Sequence, residues 1–536
     1  MVSLLGVCLL LAGASLLAPS EPSFDPWAWL VWGREIAHGS LDATSGPSWK
    51  PLPVAFTTLF APLSAVDDGM PPALWVVVAR AGGLLALCLA ARVAARLVGG
   101  GALRRAVAGG VAALGLAVTP DWVRYLFHAN EAPLCVALAL WALDRYLAGR
   151  HRSAFVLGAI VCLARPELFG FLVLYGVWLG WREPAGRVLV GAAIPLVVAA
   201  WLLPAWVGAG DPFSAAAQAS SEPSWSLSLL ESPWRAALAA AQSQAWPALE
   251  LMALVALVLS LRRGDQPGPL PGPARPGAIA ALAGFAAAVA GLYLAMTEAG
   301  FSGNTRYVLP AIASIAVLGG AGTALLADLG RRLGERVAMP ARIGGALGTA
   351  AVGAALLGGA APGLRDRAEA VKGEAAEAIE RARLHQDLER AVATVGPGYI
   401  TRFGPATTNR SYQTHLAWEL SSRLGDVHGT GGRGIVFGAP ADPVAGVLRI
   451  HPRARDRVLL AQVGAWTVSE RPAGAKHVFT WPMVGFSLRA AAARYCGCRA
   501  TYAASASTSV PSGRTPRPAA RRPGSRSTSS SLATTS

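Results

Sequence analysis

Asp25, Lys50, Glu131, Arg165 and Arg306 are the residues of this chain whose types and settings could do chemistry. Asp25 stands in Phe24-Asp25-Pro26-Trp27, just past the first apolar run, and Lys50 opens Lys50-Pro51-Leu52-Pro53 at the far end of the same Trp-rich stretch. His128 and Glu131 fall in Arg124-Tyr-Leu-Phe-His-Ala-Asn-Glu131, Arg165 in Leu163-Ala-Arg165-Pro166-Glu167, and Arg306 beside Tyr307. A carboxylate so placed can take a proton from an acceptor hydroxyl as general base. Lysine and arginine can offset the charge that develops on a phosphate leaving group, and arginine binds phosphate bidentately where lysine does not. Asp25 and Glu131 can alternatively share a divalent cation, Mg²⁺ or Mn²⁺, that does the same work. Together these groups suit transfer from a phosphate-linked donor. Arg306 also has a plainer reading, as an interfacial anchor beside Tyr307.

These residues sit between apolar runs, so the runs must position them. Of the 536 residues 53% are hydrophobic and 15% charged, where a soluble chain carries about a quarter charged. The apolar residues fall in discrete runs of roughly 17–25, the length that crosses a hydrocarbon core as helix. The fold class expected is an α-helical polytopic membrane protein. The formal charge of +16 does not indicate nucleic acid. Basic residues cluster in short segments between runs, as in cytoplasmic loops, and seven arginines lie after residue 490. Cys8, Cys88, Cys135 and Cys162 lie in apolar runs, where cysteine is a small hydrophobe, and Cys496-Gly-Cys498 lacks partners at metal-site spacing.

Hydropathy and arginine place the crossings. The first, ending near Ala18, reads as an uncleaved span rather than a signal peptide, because no basic residue precedes it. Residues 19–73 form a first outer loop, with the short apolar stretch 53–66 lying at the interface. Further spans follow at 74–97, 106–119 and 132–148, then two short helices in 153–181 interrupted at Arg165-Pro166-Glu167. Spans at 188–206, 246–261, 278–297, 306–326 and 343–361 complete about eleven crossings. A Pro/Gly linker follows Arg263, and every basic cluster then falls on one side. On the other side lie Asp25, Glu35, Lys50, His128, Glu131, Arg165, Glu167, Glu298, Arg306 and Tyr307. Ionisable groups at such a boundary point to function, although Glu35 and Glu298 taken singly are accounted for by wet loops.

The domains expected are residues 1–362 as a membrane module, 363–490 as a small outer α/β domain, and 491–536 as a tail that is disordered or belongs to a shifted reading frame. In the outer domain a charged amphipathic helix over 364–395 precedes strand-like runs at 398–403, 434–437, 447–450 and 458–463.

The order of these motifs resembles the GT-C superfamily of polytopic glycosyltransferases, in particular the family-39-like branch of protein O-mannosyltransferases and lipid A aminoarabinose transferases. The resemblance covers roughly residues 1–326. It runs through Asp25, Gly33-Arg-Glu-Ile-Ala-His-Gly39, Lys50-Pro51-Leu52-Pro53, Arg80, Arg124 to Glu131, Leu163-Ala-Arg165-Pro166 and Arg306-Tyr307-Val-Leu-Pro310. It implies an inverting glycosyltransferase in a bacterial plasma membrane, with active site and C-terminal domain extracytoplasmic. The implied donor is a polyprenyl-phosphate sugar and the acceptor an envelope glycan, lipid or protein. Asp25 would be the general base or metal-associated acid and Glu131 the second acid. Lys50, Arg165 and Arg306 would contact the donor phosphate, with His128 and Tyr307 lining the substrate site. Two departures bear on metal dependence: Asp25 is followed by Pro26-Trp27 rather than a second acid, and the later acid is Glu131 rather than Asp. The alternative is a transporter or assembly protein for lipid-linked saccharides, which usually shows broken helices in two matching halves. No internal repeat is visible here.

Overall fold

A computed structural model describes residues 2–221, 225–263, 276–336, 341–428, 434–438 and 458–471. The expected strand at 447–450, the Pro/Gly linker over 264–275, the Cys496–Cys498 pair and the tail lie outside the described residues.

Helices dominate, and prolines set many of their starts. α1 (Val2–Ala14) leads to α2 (Phe24–Ala37), which carries Asp25 in its first turn, and to α3 (Pro51–Phe60), whose two prolines sit at the start of the helix where no N–H is needed. α4 (Met70–Val98) stops at Gly99. α5 (Ala102–Ala117) and α6 (Pro120–Phe127) are bent by 65° at Pro120, since Thr119 before the proline is driven to extended backbone. α7 (Ala132–Leu147) starts directly after Glu131. α8 (His151–Cys162) and α9 (Phe169–Arg182) are separated at Arg165-Pro166-Glu167, as the sequence predicts. Then come α10 (Pro184–Ala209), α11 (Ser214–Ala219), α12 (Pro233–Gln244) and α13 (Pro247–Arg263), with a 90° bend between the last two. α14 (Pro276–Glu298) and α15 (Leu309–Arg336) follow.

Among the described residues four helices, within α4, α10, α14 and α15, are long and apolar enough to cross a membrane, or six if each bent pair is one span. The other expected crossings fall on shorter helices such as α1, α7 and α8. α4, α5, α7 and α15 share one buried core of alanine, valine and leucine. Their ends are distinguishable by their ion pairs. Asp144, late in α7, accepts from Arg92 and Arg96 of α4 at 2.8 and 2.9 Å and from Arg145, while Arg104 of α5 reaches Asp328 of α15 at 2.6 Å. The opposite end gathers Asp25, Glu131, Arg165 and Arg306. The two-sided arrangement read from the arginines is therefore present in the packing.

α16 (Ala341–Val395) is one unbroken helix across residue 362, the boundary expected between the two domains. Beyond it come α17 (Pro397–Arg402), β1 (Ala406–Thr407), α18 (Arg410–Glu419), β2 (Val427–His428), β3 (Gly434–Gly438), β4 (Val458–Val463) and β5 (Trp466–Arg471). The sheet order is β2-β1-β3-β5-β4, parallel across β2-β1-β3 and antiparallel thereafter. The strands expected at 434–437 and 458–463 are present. The one expected at 398–403 is instead α17, because Gly396 at φ +87° turns the chain and Pro397 opens a helix rather than a ladder.

The described elements after α16 pack directly on α2. Trp27, Trp29 and Trp32 of α2 share a buried cluster with Leu388 and Val392 of α16, Leu416 of α18, and Phe437 and Trp466 of the sheet. Arg34 caps the end of α18, donating to the carbonyls of Trp418, Ala417 and Ser422 at 3.0, 3.2 and 2.8 Å. α2 also lies unusually close to α3: a Cβ at Gly33 would come within 2.5 Å of Thr57. Asp25 is thus carried by a helix clamped from both sides.

Candidate functional site

A cavity of about 820 Å³ opens between the site end of the bundle and the α16 and α18 helices. Asp25, Lys50, His128, Arg165, Glu167, Arg306 and Tyr307 are all in its wall.

Asp25 is held at the start of α2, and its Oδ2 accepts from Arg306 Nη1 at 2.5 Å. Arg306 is set by a 3-10 turn over Thr305–Tyr307, capped by Asn304 Oδ1, which accepts the Arg306 N–H at 3.1 Å and the Tyr125 hydroxyl at 2.5 Å. Thr305 donates to Asp121, so the turn is fastened to α6. Gly303 before it has φ +66° and is packed against Leu227 and Thr297, and its carbonyl accepts from Tyr293 at 2.7 Å, so only glycine fits.

Glu131 is fully buried behind the cavity wall and binds Lys50 through the same Oε1 that lies 3.0 Å from Arg165 Nη2. Burial pushes its carboxyl up, but Lys50, Arg165 and Arg306 outweigh that and hold it at about 2. Lys50 is lowered to about 8 by burial and by the charge of Arg306, against the pull of Glu131. It also sits over the Trp29 ring at 5.4 Å. Arg165 Nη1 lies 3.6 Å from Glu167, and both Arg165 and Arg306 lie over the Tyr307 ring, at 5.4 and 5.6 Å. Neither terminal nitrogen of Arg165 makes a well-directed hydrogen bond, nor does Arg306 Nε or Glu131 Oε2. Buried donors that lack a well-directed hydrogen bond at a cavity wall are suited to an anion.

His128 lies elsewhere on the wall. Its Nε2 accepts from Arg381 of α16 at 2.8 Å, and burial together with Arg381 and Arg124 lowers its pKa well below the usual imidazole value. It is a neutral tie between the bundle and α16. Glu35 and Glu298 do not join the site. Glu35 accepts the Asp42 N–H at 2.8 Å at the end of α2, where burial pushes its pKa to about 7, and Glu298 accepts the Trp234 N–H at 3.1 Å at the start of α12.

Asp25 and Glu131, the pair expected to share a Mg²⁺ or Mn²⁺, each have one oxygen engaged by cations, Asp25 Oδ2 by Arg306 and Glu131 Oε1 by Lys50 and Arg165.

Sequence reasoning missed the far wall. Glu377, Arg381, Leu384 and His385 of α16 line the cavity, as do Arg410 and Tyr412 of α18. The α16 residues recur at helical spacing on one face, and that periodicity was the available signal. Nothing local marks Arg410 and Tyr412.

No protein-family profile matches the chain, and no curated protein is significantly similar to it. Its fold matches two crystal structures of ArnT from Cupriavidus metallidurans, one bound to undecaprenyl phosphate and one in the apo state. Sequence identity is 14% in each comparison, with 87% of this chain and 97% of that chain covered, and TM-scores are 0.50 and 0.51. The chain therefore has an ArnT-like fold.

Proposed function

We propose that this protein is a membrane glycosyltransferase that moves a sugar from a polyprenyl-phosphate donor to a hydroxyl of an envelope glycan, lipid or protein. The observation that carries the reading is that one cavity wall holds the Asp25 carboxylate, ion-paired with Arg306, beside Arg165, whose terminal nitrogens make no well-directed hydrogen bond. The fold of a protein crystallised with undecaprenyl phosphate supports the same donor class.

In this reading the donor phosphate competes for Arg306 and takes up the free guanidinium edges of Arg165, with Lys50 supplying further charge. Arg306 turned toward phosphate releases Asp25, which becomes a base only when donor is bound. The acceptor oxygen attacks the anomeric carbon as the bond from that carbon to the phosphate oxygen breaks. The polyprenyl phosphate leaves with the bonding electrons, the acceptor proton passes to Asp25, and the anomeric centre inverts. Glu131, behind the wall, orients Lys50 and Arg165 rather than meeting substrate. The cations carry the leaving-group charge, and no step needs a metal at Asp25 and Glu131.

The arginine-rich end of the bundle argues for a cytoplasmic location and hence an outer-facing cavity in a bacterial plasma membrane. Transfer from radiolabelled polyprenyl-phosphate sugars in membranes tests the reading. Activity present in wild type and absent in Asp25→Asn, at equal expression, supports it. Undiminished transfer in Asp25→Asn removes Asp25 as base. A wild type that binds the lipid but transfers to no acceptor favours the transporter reading.

A further inference from the structure

Outside the cavity chemistry, the junction of α2, α16 and α18 holds a cluster that the transfer reaction does not use. His415 of α18 has no solvent exposure, and neither ring nitrogen has a hydrogen-bond partner. Two carboxylates lie near its Nε2, Glu419 at 3.3 Å and Glu389 at 3.9 Å. The three donor atoms all lie within 4.8 Å of one another. His415 and Glu419 are one helical turn apart on α18, while Glu389 comes from α16. A third carboxylate, Glu21, approaches His385 Nδ1 at 3.4 Å, and the His385 and His415 rings are 4.2 Å apart.

We propose that His415, Glu389 and Glu419 form a zinc site that joins α16 to α18. A buried imidazole without partners is costly, and carboxylates converging on it need a counter-charge. One nitrogen and two oxygens are donors that zinc accepts. Ligand atoms around a tetrahedral zinc with bonds of ~2.0–2.1 Å stand roughly 3.3 Å apart. The His415–Glu419 separation already has this value, and small side-chain rotations bring Glu389 in. The Glu389 side chain is 46% exposed, which leaves an entry path and room for a water as fourth ligand. The Trp27 ring stacks on His415 with centroids 4.3 Å apart, so the ion would also fix the ring against which α2, two residues from Asp25, is packed. The site is distinct from Asp25 and Glu131 and stands whether or not the chain transfers sugars.

The experiment is metal analysis of the full-length protein, purified in detergent, stripped with chelator and re-equilibrated with Zn²⁺ alone. The expected result is about one tightly held zinc per chain, with a saturable rise in Tm. Glu389→Gln and Glu419→Gln, which keep side-chain size, should lose more than tenfold in zinc affinity, as should His415→Ala. His385→Gln should keep the ion. Wild type that retains no zinc and shows no Tm response overturns the proposal, as do Glu389→Gln and Glu419→Gln variants that bind zinc like wild type.

Discussion

The two ends of α7 each carry a fully buried carboxylate ringed by cations, about 20 Å apart along the helix, yet they serve different ends. At Asp144 both oxygens are taken: Oδ1 by Arg92 and Arg96, Oδ2 by Arg145, with the Asp144 carbonyl accepting from Arg96 as well. The side chains of Arg92 and Arg96 are 41% and 32% exposed, so their remaining donors meet solvent. At Glu131 the partners Lys50 and Arg165 are themselves buried, Oε2 is unused, and Arg165 has no well-directed bond. In the first cluster both carboxylate oxygens are used and two of the three arginines are partly exposed, and it fastens helix ends. The second is desolvated, under-bonded and set in a cavity wall, the condition expected of groups kept for a ligand. Residue type alone does not separate them.

Substitutions can break or sharpen that contrast. The largest effect is expected at the cavity surface: Asp25→Asn should lower transfer about 10²- to 10⁴-fold while leaving Tm within the error of the wild-type value, read by lipid-donor assay and thermal unfolding in detergent. Next is Glu131→Gln, which leaves three cations without their shared counter-charge. It should cost about 3–5 kcal/mol of stability, whereas Asp144→Asn should cost about 1–2 kcal/mol and leave transfer per folded molecule unchanged. Equal losses of transfer in both would erase the distinction drawn here. Arg165→Lys keeps charge but loses the planar fork, so the donor KM should rise about tenfold with little change in kcat.

The pH profile gives a fourth test. Lys50 is lowered to about 8, so activity that needs its ammonium should decline as pH rises through 8. The folded state holds fewer protons than the unfolded one between 8 and 10.5, so the burial penalty of Lys50 is relieved there and its contribution to stability rises with pH. Glu131 runs the other way: held at about 2 against an ordinary 4.5, it stabilises the fold at neutral pH and that contribution is lost as pH falls from 4.5 toward 2. Lys50→Arg should abolish the decline in activity near pH 8. The smallest effect concerns metal: added Mg²⁺ or Mn²⁺ should change transfer less than about twofold, since both carboxylates are already paired.

By itself the sequence determined the helical class, the clustering of arginines between apolar runs, the break at Arg165-Pro166-Glu167 and several of the charged residues that line the cavity on the bundle side. These are local properties. Apolar run length, proline placement and arginine clustering act within a few residues, and the charged loop residues announce themselves because apolar surroundings make them expensive. Tertiary structure alone decided that Asp25 pairs with Arg306, 281 positions away, and that Glu131 lies behind the wall while Lys50 and Arg165 form it. It also decided that Glu35 and Glu298 serve only as loop and helix acceptors, and that α16 and α18 complete the cavity and bring His415 to two glutamates. Such facts depend on which buried charges find each other when distant segments close together, and on contacts that a one-dimensional pattern of residue types does not encode.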